Sequence, residues 1–329
     1  MRRRWILFAV ILTAPTGCDN VAWGGVDVRL EGPTSPPAVY ASEPEDTVEA
    51  IVLPELPTEP ILLAGTRTGD TARMTVVGPV QGAALGAFPS DDELPNFRDH
   101  FANTLLAPGT ELVLFSEGVR VGRMTVASTV IDETLCVPHP VAVGVAELLP
   151  GASQVERLMA LRDTSADDRP FGDYAPPGGL DQRAVTLALG ANAIEESGAP
   201  WPPSLTGARA DFQAFRRPEG PGAEVATTFL FADELGALEP QAPNAYALFV
   251  LGAQEAGRWR PQYVWYRRAD GRGGKGAPRY FGTLDWDGDG SSEILLEVFG
   301  TSRRWFAALG QRDSVWVETF QDPCGQTTG

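Results

Sequence analysis

The chain has 329 residues, 43% apolar and 21% charged, enough to build one large core or two modest ones. Its 43 acidic residues outnumber 26 basic ones, for a formal charge of −17. That surface excludes nucleic acid as an expected partner, because phosphate backbones are held by clustered cations. Taken in order, the chain opens with the basic Met1-Arg2-Arg3-Arg4, then an apolar run from Trp5 to Ala14. The run is too short to cross a bilayer as a helix. Pro15-Thr16-Gly17-Cys18 follows, with small residues just before a cysteine. This is signal-peptide anatomy and assigns residues 1–17 to a signal.

The same stretch resembles the lipobox of bacterial lipoproteins. The resemblance implies that the signal is cut before Cys18 and that Cys18 carries lipid. It implies a protein anchored through its N-terminus to a bacterial cell-envelope membrane, facing the periplasm or the exterior. Each buried CH₂ of an acyl chain is worth ~0.8 kcal/mol, so several chains anchor stably. Pro15 stands where the family usually has Leu. Asp19 resembles an inner-membrane retention signal of some bacteria; that rule does not transfer between phyla, so the membrane stays open.

Residues 18–47 are rich in Pro and Ser, as in Gly32-Pro33-Thr34-Ser35-Pro36-Pro37, and read as a tether. Residues 48–162 read as a β-rich domain with two helices. Its strand-like runs are Ile61–Ala64, Met74–Val77, Leu112–Phe115, Val121–Ala127 and Val141–Val145, with a hairpin at Ser116-Glu117-Gly118. One helix is expected over Pro95–Leu106, where Phe97, Phe101 and Leu105 recur every four residues. A second is expected from Ser153, with Glu156 completing a capping box. Residues 163–180, dense in Asp, Pro and Gly, read as a linker.

Residues 181–329 open with an expected helix from Gln182 to Glu196. Strands follow at Ala210–Phe215, Val225–Phe231, Ala245–Leu251, Gln262–Arg267, Tyr280–Leu284, Glu293–Phe299, Trp305–Leu309 and Val315–Phe320. Short links between them predict an antiparallel meander. The fold class is therefore mainly antiparallel β with a few short helices, a β-rich α+β arrangement.

Within that region, residues 285–293 read Asp-Trp-Asp-Gly-Asp-Gly-Ser-Ser-Glu. Carboxylates this close repel one another unless a cation sits among them. A hard dication such as Ca²⁺ takes six to eight oxygens at about 2.3–2.6 Å. Asp285, Asp287 and Asp289 are expected to give side-chain oxygens, Ser291 its carbonyl, and Glu293 the closing carboxylate. The competing reading is a bare solvated turn, since Asp-Gly pairs are ordinary turn formers. The loop begins like an EF-hand loop, but position twelve is Leu296, and a β-rich run follows instead of a helix. Phe281-Gly282-Thr283-Leu284 and the loop through Phe299 resemble the calcium loops of FG-GAP and VCBS-type repeats, which join two strands in integrin-like propellers. A single such loop does not make a propeller, which needs several blades.

Apart from Cys18, the cysteines are Cys136 and Cys324. In an oxidising compartment an even pair reads as a disulfide. Cys136-Val-Pro-His139 as half a zinc site lacks a second metal-spaced pair, the other histidine being His100. There is no Gly-x-Ser-x-Gly elbow, Walker loop or Gly-x-Gly-x-x-Gly fingerprint. The expectation is an envelope lipoprotein with a structural or binding role, its partner an unknown envelope protein or a glycan. The alternative is an exported hydrolase that uses paired carboxylates across an aromatic-lined cleft, on glycans for instance. Trp259, Tyr263, Trp265, Tyr266, Trp286, Trp305 and Trp316 gather near the acidic loop, as core pairs or as a sugar-stacking platform.

Overall fold

A computed structural model describes residues 53–162, 180–220 and 222–323. The signal, Cys18, the tether, nearly all of the linker and Cys324 lie outside the described residues. The chain is mainly antiparallel β, as its alternating runs and short turns predict.

The first half contains β1 (Ile61–Thr68), β2 (Thr71–Gln81), β3 (Ala84–Leu85), α1 (Phe97–Leu105), β4 (Glu111–Ser116), β5 (Val119–Asp132), β6 (His139–Leu148) and β7 (Arg157–Arg162). They form one sheet in the order β1-β7-β4-β5-β6-β2-β3. Because β1 also pairs with β2, six strands close into a barrel. Closure removes the exposed hydrogen-bonding edge that an open sheet would present. Ile61, Leu63, Met74, Val76, Leu112, Leu114, Met124 and Leu158 fill the inside. The apolar face of α1, Phe97, Phe101 and Leu105, packs into the same cluster, with Phe88 edge-on to both rings. Gly122 and Gly144 permit the tight curl of β5 against β6. A Cβ on either would lie 2.1 or 2.0 Å from the carbonyl oxygen of the facing strand.

No helix starts at Ser153. A 3₁₀ turn over Pro150–Ala152 leads instead into strand β7. The reason is that Leu158, Met159, Ala160 and Leu161 are all buried, a continuous run and not a one-sided stripe. Leu158 and Ala160 face the barrel interior, while Met159 and Leu161 face outward into a second cluster. β7 bonds on both sides, to β1 and β4, so the ladder overrides the local capping signal.

The second half contains α2 (Leu180–Glu196), α3 (Leu205–Ala208), β8 (Arg209–Phe215), β9 (Glu224–Phe231), β10 (Tyr246–Glu255), β11 (Arg258–Arg268), β12 (Ala277–Leu284), β13 (Glu293–Phe299), β14 (Arg304–Arg312) and β15 (Val315–Gln321). All eight expected strands are present, as two four-stranded meanders, β8 to β11 and β12 to β15. They pack face to face through Phe249, Leu251, Trp265, Ile294, Leu296, Trp305 and Trp316. The far face of the first meander carries α2, through Leu189, Ala193 and Ile194. The far face of the second packs on the barrel, through Phe281, Leu284, Trp286, Leu295 and Phe306 against Leu62, Val113, Phe115 and Met159. The two sequence regions thus share one cluster, in a stack of helix, sheet, sheet and barrel. β13, inside that sheet, is buried on both faces, which explains why Ile294, Leu295, Leu296 and Val298 form an apolar run interrupted by Glu297 alone.

Lys275, the only lysine in the chain, lies just before β12 with its side chain 1% exposed. Its Nζ donates to Asp233 Oδ1 at 2.7 Å, Glu234 O at 2.9 Å and Leu238 O at 3.0 Å. These bonds pin the β9–β10 loop.

Candidate metal loop and its surroundings

The acidic loop joins β12 to β13, adjacent antiparallel strands. Thr283 Oγ1 donates to Glu293 O at 2.7 Å and closes its base. Gly288 and Gly290 take φ of 81° and 90°, where a Cβ would be strained. These positive angles turn the chain so that alternate side chains point inward. Oxygens of Asp285, Asp287 and Asp289 lie within 4.8 Å of one another. Asp285 accepts the N–H of Gly288 at 2.7 Å and of Gly290 at 3.0 Å. Asp287 accepts that of Asp289 at 3.1 Å, and Asp289 that of Ser291 at 2.7 Å. Each carboxylate oxygen has two lone pairs, so acceptor capacity remains after these bonds. Burial, then the charges of Asp289 and Asp285, pushes the Asp287 carboxyl above its ordinary range.

The two remaining expected ligands stand differently. Ser291 is half-buried beside the three aspartates and uses its N–H on Asp289. Glu293 is 1% exposed, and its Oε2 accepts the Trp286 N–H at 3.3 Å. Burial, then Asp287, pushes its carboxyl up to about 9. The structure therefore gathers the three aspartates into one group, and Glu293 is buried close enough for their charges to raise its carboxyl.

The sequence alone did not signal what holds the loop. Glu219, from the β8–β9 hairpin, accepts Ser292 N at 2.8 Å and Ser292 Oγ at 2.9 Å. Arg217 pairs with Glu219 at 2.8 Å and grips Glu224 through Nε and Nη2, both at 2.8 Å. Its guanidinium lies over the Trp316 ring, 4.9 Å from the centroid. Against partial burial, the Ser292 donors and Arg217 hold Glu219 below the usual carboxylate range. On its other side the loop meets the barrel, since Asp287 Oδ2 sits 3.8 Å from where a Cβ on Gly82 would be.

Most of the aromatic side chains are core. Trp265, Trp286, Trp305 and Trp316 are buried. Tyr263 and Tyr266 are half-buried and line an open hollow of about 700 Å³ beside Arg267 and Glu318. Glu318 is the only carboxylate lining that hollow, so it offers no facing pair of acids. His139 is buried, with Nδ1 2.6 Å from Val76 O. His100 lies on α1, bonded to Thr104. No family model, characterised protein or solved structure matches the chain.

Proposed function

We propose that this chain is a lipid-anchored protein of the bacterial cell envelope, with a structural or binding role and one Ca²⁺ site in the loop from Asp285 to Glu293. The convergence of three aspartates on one point carries the calcium reading. All-oxygen donors on a glycine-turned loop suit a large hard cation; Mg²⁺ rarely accepts an all-protein cage. In the proposed site, Asp285, Asp287 and Asp289 hold the ion, Ser291 adds its carbonyl, and Glu293 is the closing carboxylate. Binding to the native state alone raises stability by about 2.7 kcal/mol at a hundredfold excess over Kd. Extracellular sites are often weak, with Kd about 10⁻⁴–10⁻³ M. Melting is therefore followed in millimolar calcium and in chelator. The expected result is a higher Tm with calcium, lost in Asp287→Ala; a Tm indifferent to calcium leaves the loop a bare turn.

Two further parts of the reading rest on cysteines. Cys18 is proposed to carry the anchor, on the strength of the basic, apolar and small-residue order before it. Cys18→Ala should leave the membrane fraction, and retention there with unchanged mobility would overturn the anchor. Cys136 and Cys324 are proposed to be bonded. In support, Cys136 N donates to Arg304 O at 3.1 Å and Asp322 N to Phe306 O at 3.1 Å. The segment around Cys136 thus continues along β14 from the point where β15 ends at Gln321, three residues before Cys324 in sequence. Two free thiols in denatured, unreduced protein would exclude the bond.

A further inference from the structure

β11 is an outer strand of the first meander, with β10 on one side and no strand on the other. Its register fixes which backbone groups face the open side. Ala269 N donates to Ala245 O at 2.8 Å, so these two residues form a hydrogen-bonded pair. Gln254 N, which donates to Ala223 O across the other side of β10, agrees in phase. In an antiparallel ladder such pairs alternate with pairs whose N–H and C=O point away from the partner strand. Pairing runs without a shift from Tyr246↔Arg268 to Leu251↔Tyr263, so Arg267, Trp265 and Tyr263 are the residues bonded to β10. Arg268, Tyr266 and Val264 therefore turn their N–H and C=O outward. Gly271 N takes the Arg268 carbonyl at 3.2 Å. The outward groups of Val264 and Tyr266 have no hydrogen-bond partner among the described residues.

The hollow of about 700 Å³ lies along this edge. Every residue from Tyr263 to Arg268 lines it, together with Glu318 and Gln321 of β15. Open strand edges are ordinarily blunted by proline, bulges or charge. β11 carries the first two devices only at its start, where Pro261 precedes a register shift at Gln262. From Tyr263 onward the register is regular and no proline intervenes. The charge of the strand also sets it apart. Residues 258–272 hold Arg258, Arg260, Arg267, Arg268 and Arg272 against Asp270 alone. Adding Glu255 of β10 and Glu318 still leaves five cations facing three carboxylates, in a chain of formal charge −17. Arg268 pairs with Asp270 at 2.7 Å, and Arg267 donates to Gly274 O at 2.9 Å. Arg272 lines the hollow, is exposed, and has no ion pair or hydrogen bond among the described residues.

We propose that this edge docks an extended, acidic peptide segment of a partner protein, which joins the first meander as a fifth strand beside Val264–Arg268. Main-chain hydrogen bonds to Val264 and Tyr266 hold the segment, as in strand addition to an exposed sheet edge. The surplus of arginine selects its sign of charge. The proposal gives a partner class to the binding role inferred above and does not depend on the calcium loop, so either can fail alone.

The test is calorimetric titration with the end-blocked peptide Thr-Glu-Val-Glu-Val-Glu-Thr. Two controls accompany it: the same peptide with Lys in place of Glu, and the acidic peptide N-methylated on adjacent residues so that neither of its edges can pair. Saturable binding of the acidic peptide at millimolar concentration or below is expected, with each control at least about tenfold weaker, a difference of 1.4 kcal/mol. Val264→Pro removes an outward N–H and no bond to β10, so the sheet should survive and the peptide should bind about tenfold more weakly or worse. Arg272→Glu, at an exposed and unbonded side chain, should weaken the acidic peptide a few-fold and strengthen the Lys peptide. Equal binding of the N-methylated peptide would remove strand pairing, and equal binding of the Lys peptide would remove the acidic preference; either overturns the proposal. So does the absence of saturable binding, or binding unmoved by both variants. A wild-type dimer that Val264→Pro splits, seen by sedimentation, would give the edge to a second copy and overturn the partner. Binding that appears only once residues 325–329 are removed would give the edge to the chain itself, with the same result.

Discussion

Lys275 and Glu117 are buried charges with opposite accounts. All three Lys275 protons have acceptors, and Asp233 beside it is 2% exposed in its side chain. Lys275→Met leaves that carboxylate buried and uncompensated, at a cost of about 3–5 kcal/mol. Urea unfolding should show this loss, and adding Asp233→Leu should recover much of it. A loss under about 1 kcal/mol would mean that Asp233 finds another partner. Glu117 has one hydrogen bond, from the Tyr280 hydroxyl, and burial lifts its carboxyl from an ordinary 4.5 to about 7. A group raised on folding holds more protons in the native state, so its stability contribution is complete below 4.5 and is lost as pH rises through about 7. Because Glu117 is only half-buried as a residue, the loss is moderated by solvent, and about 1–3 kcal/mol should disappear across that window. Glu117→Gln should flatten this part of the stability profile, and an unchanged profile would assign it to other groups.

Among the elements, α2 offers a test of sign. A glycine inside a helix ordinarily costs about 1 kcal/mol relative to alanine. Gly190, however, lies under the Phe229 ring, where a Cβ would come within 2.4 Å of Cε2 and Cζ. Phe229 is 0% exposed and cannot swing away. Gly190→Ala should therefore destabilise by about 1–3 kcal/mol, as overpacking does. A more stable variant would mean that the helix can lift from the sheet. Legibility in the sequence follows the same division between local and distant. The eight strands of the second half were readable because Pro and Gly clusters punctuate them. The convergence of Asp285, Asp287 and Asp289 was readable because one short loop holds all three. β7 was misread as a helix because Ser153 and Glu156 imitate a cap, while its true partners, β1 and β4, are distant in the chain. Glu219 under Ser292 and Glu117 on Tyr280 join residues 73 and 163 positions apart, and such pairs leave no local pattern.

At the scale of the molecule, one apolar cluster joins the two halves of the stack. Leu62, Phe115 and Met159 of the barrel share a cluster with Phe281, Leu295 and Phe306 of the second sheet. One ion pair reinforces the seam: Arg304 on β14 reaches across to Asp132 on β5, while its other nitrogen holds Glu297 on the neighbouring strand β13. Residues 52–329 accordingly form one compact unit. Calorimetry should give a single unfolding transition whose calorimetric and van't Hoff enthalpies agree. Two resolved transitions would show that the shared cluster does not couple the halves. Barrel closure itself was not legible, because it depends on β1 bonding to both β2 and β7, and neither contact marks the sequence of β1.

The buried ammonium beside Asp233 has a practical corollary. No other lysine exists in the chain, so the folded protein offers acylating reagents no reachable side-chain amine. Succinimidyl dyes and cross-linkers should react at this position only when the β9–β10 loop lifts away. Labelling kinetics at one residue, followed by mass, would then clock the local opening of that loop against global unfolding.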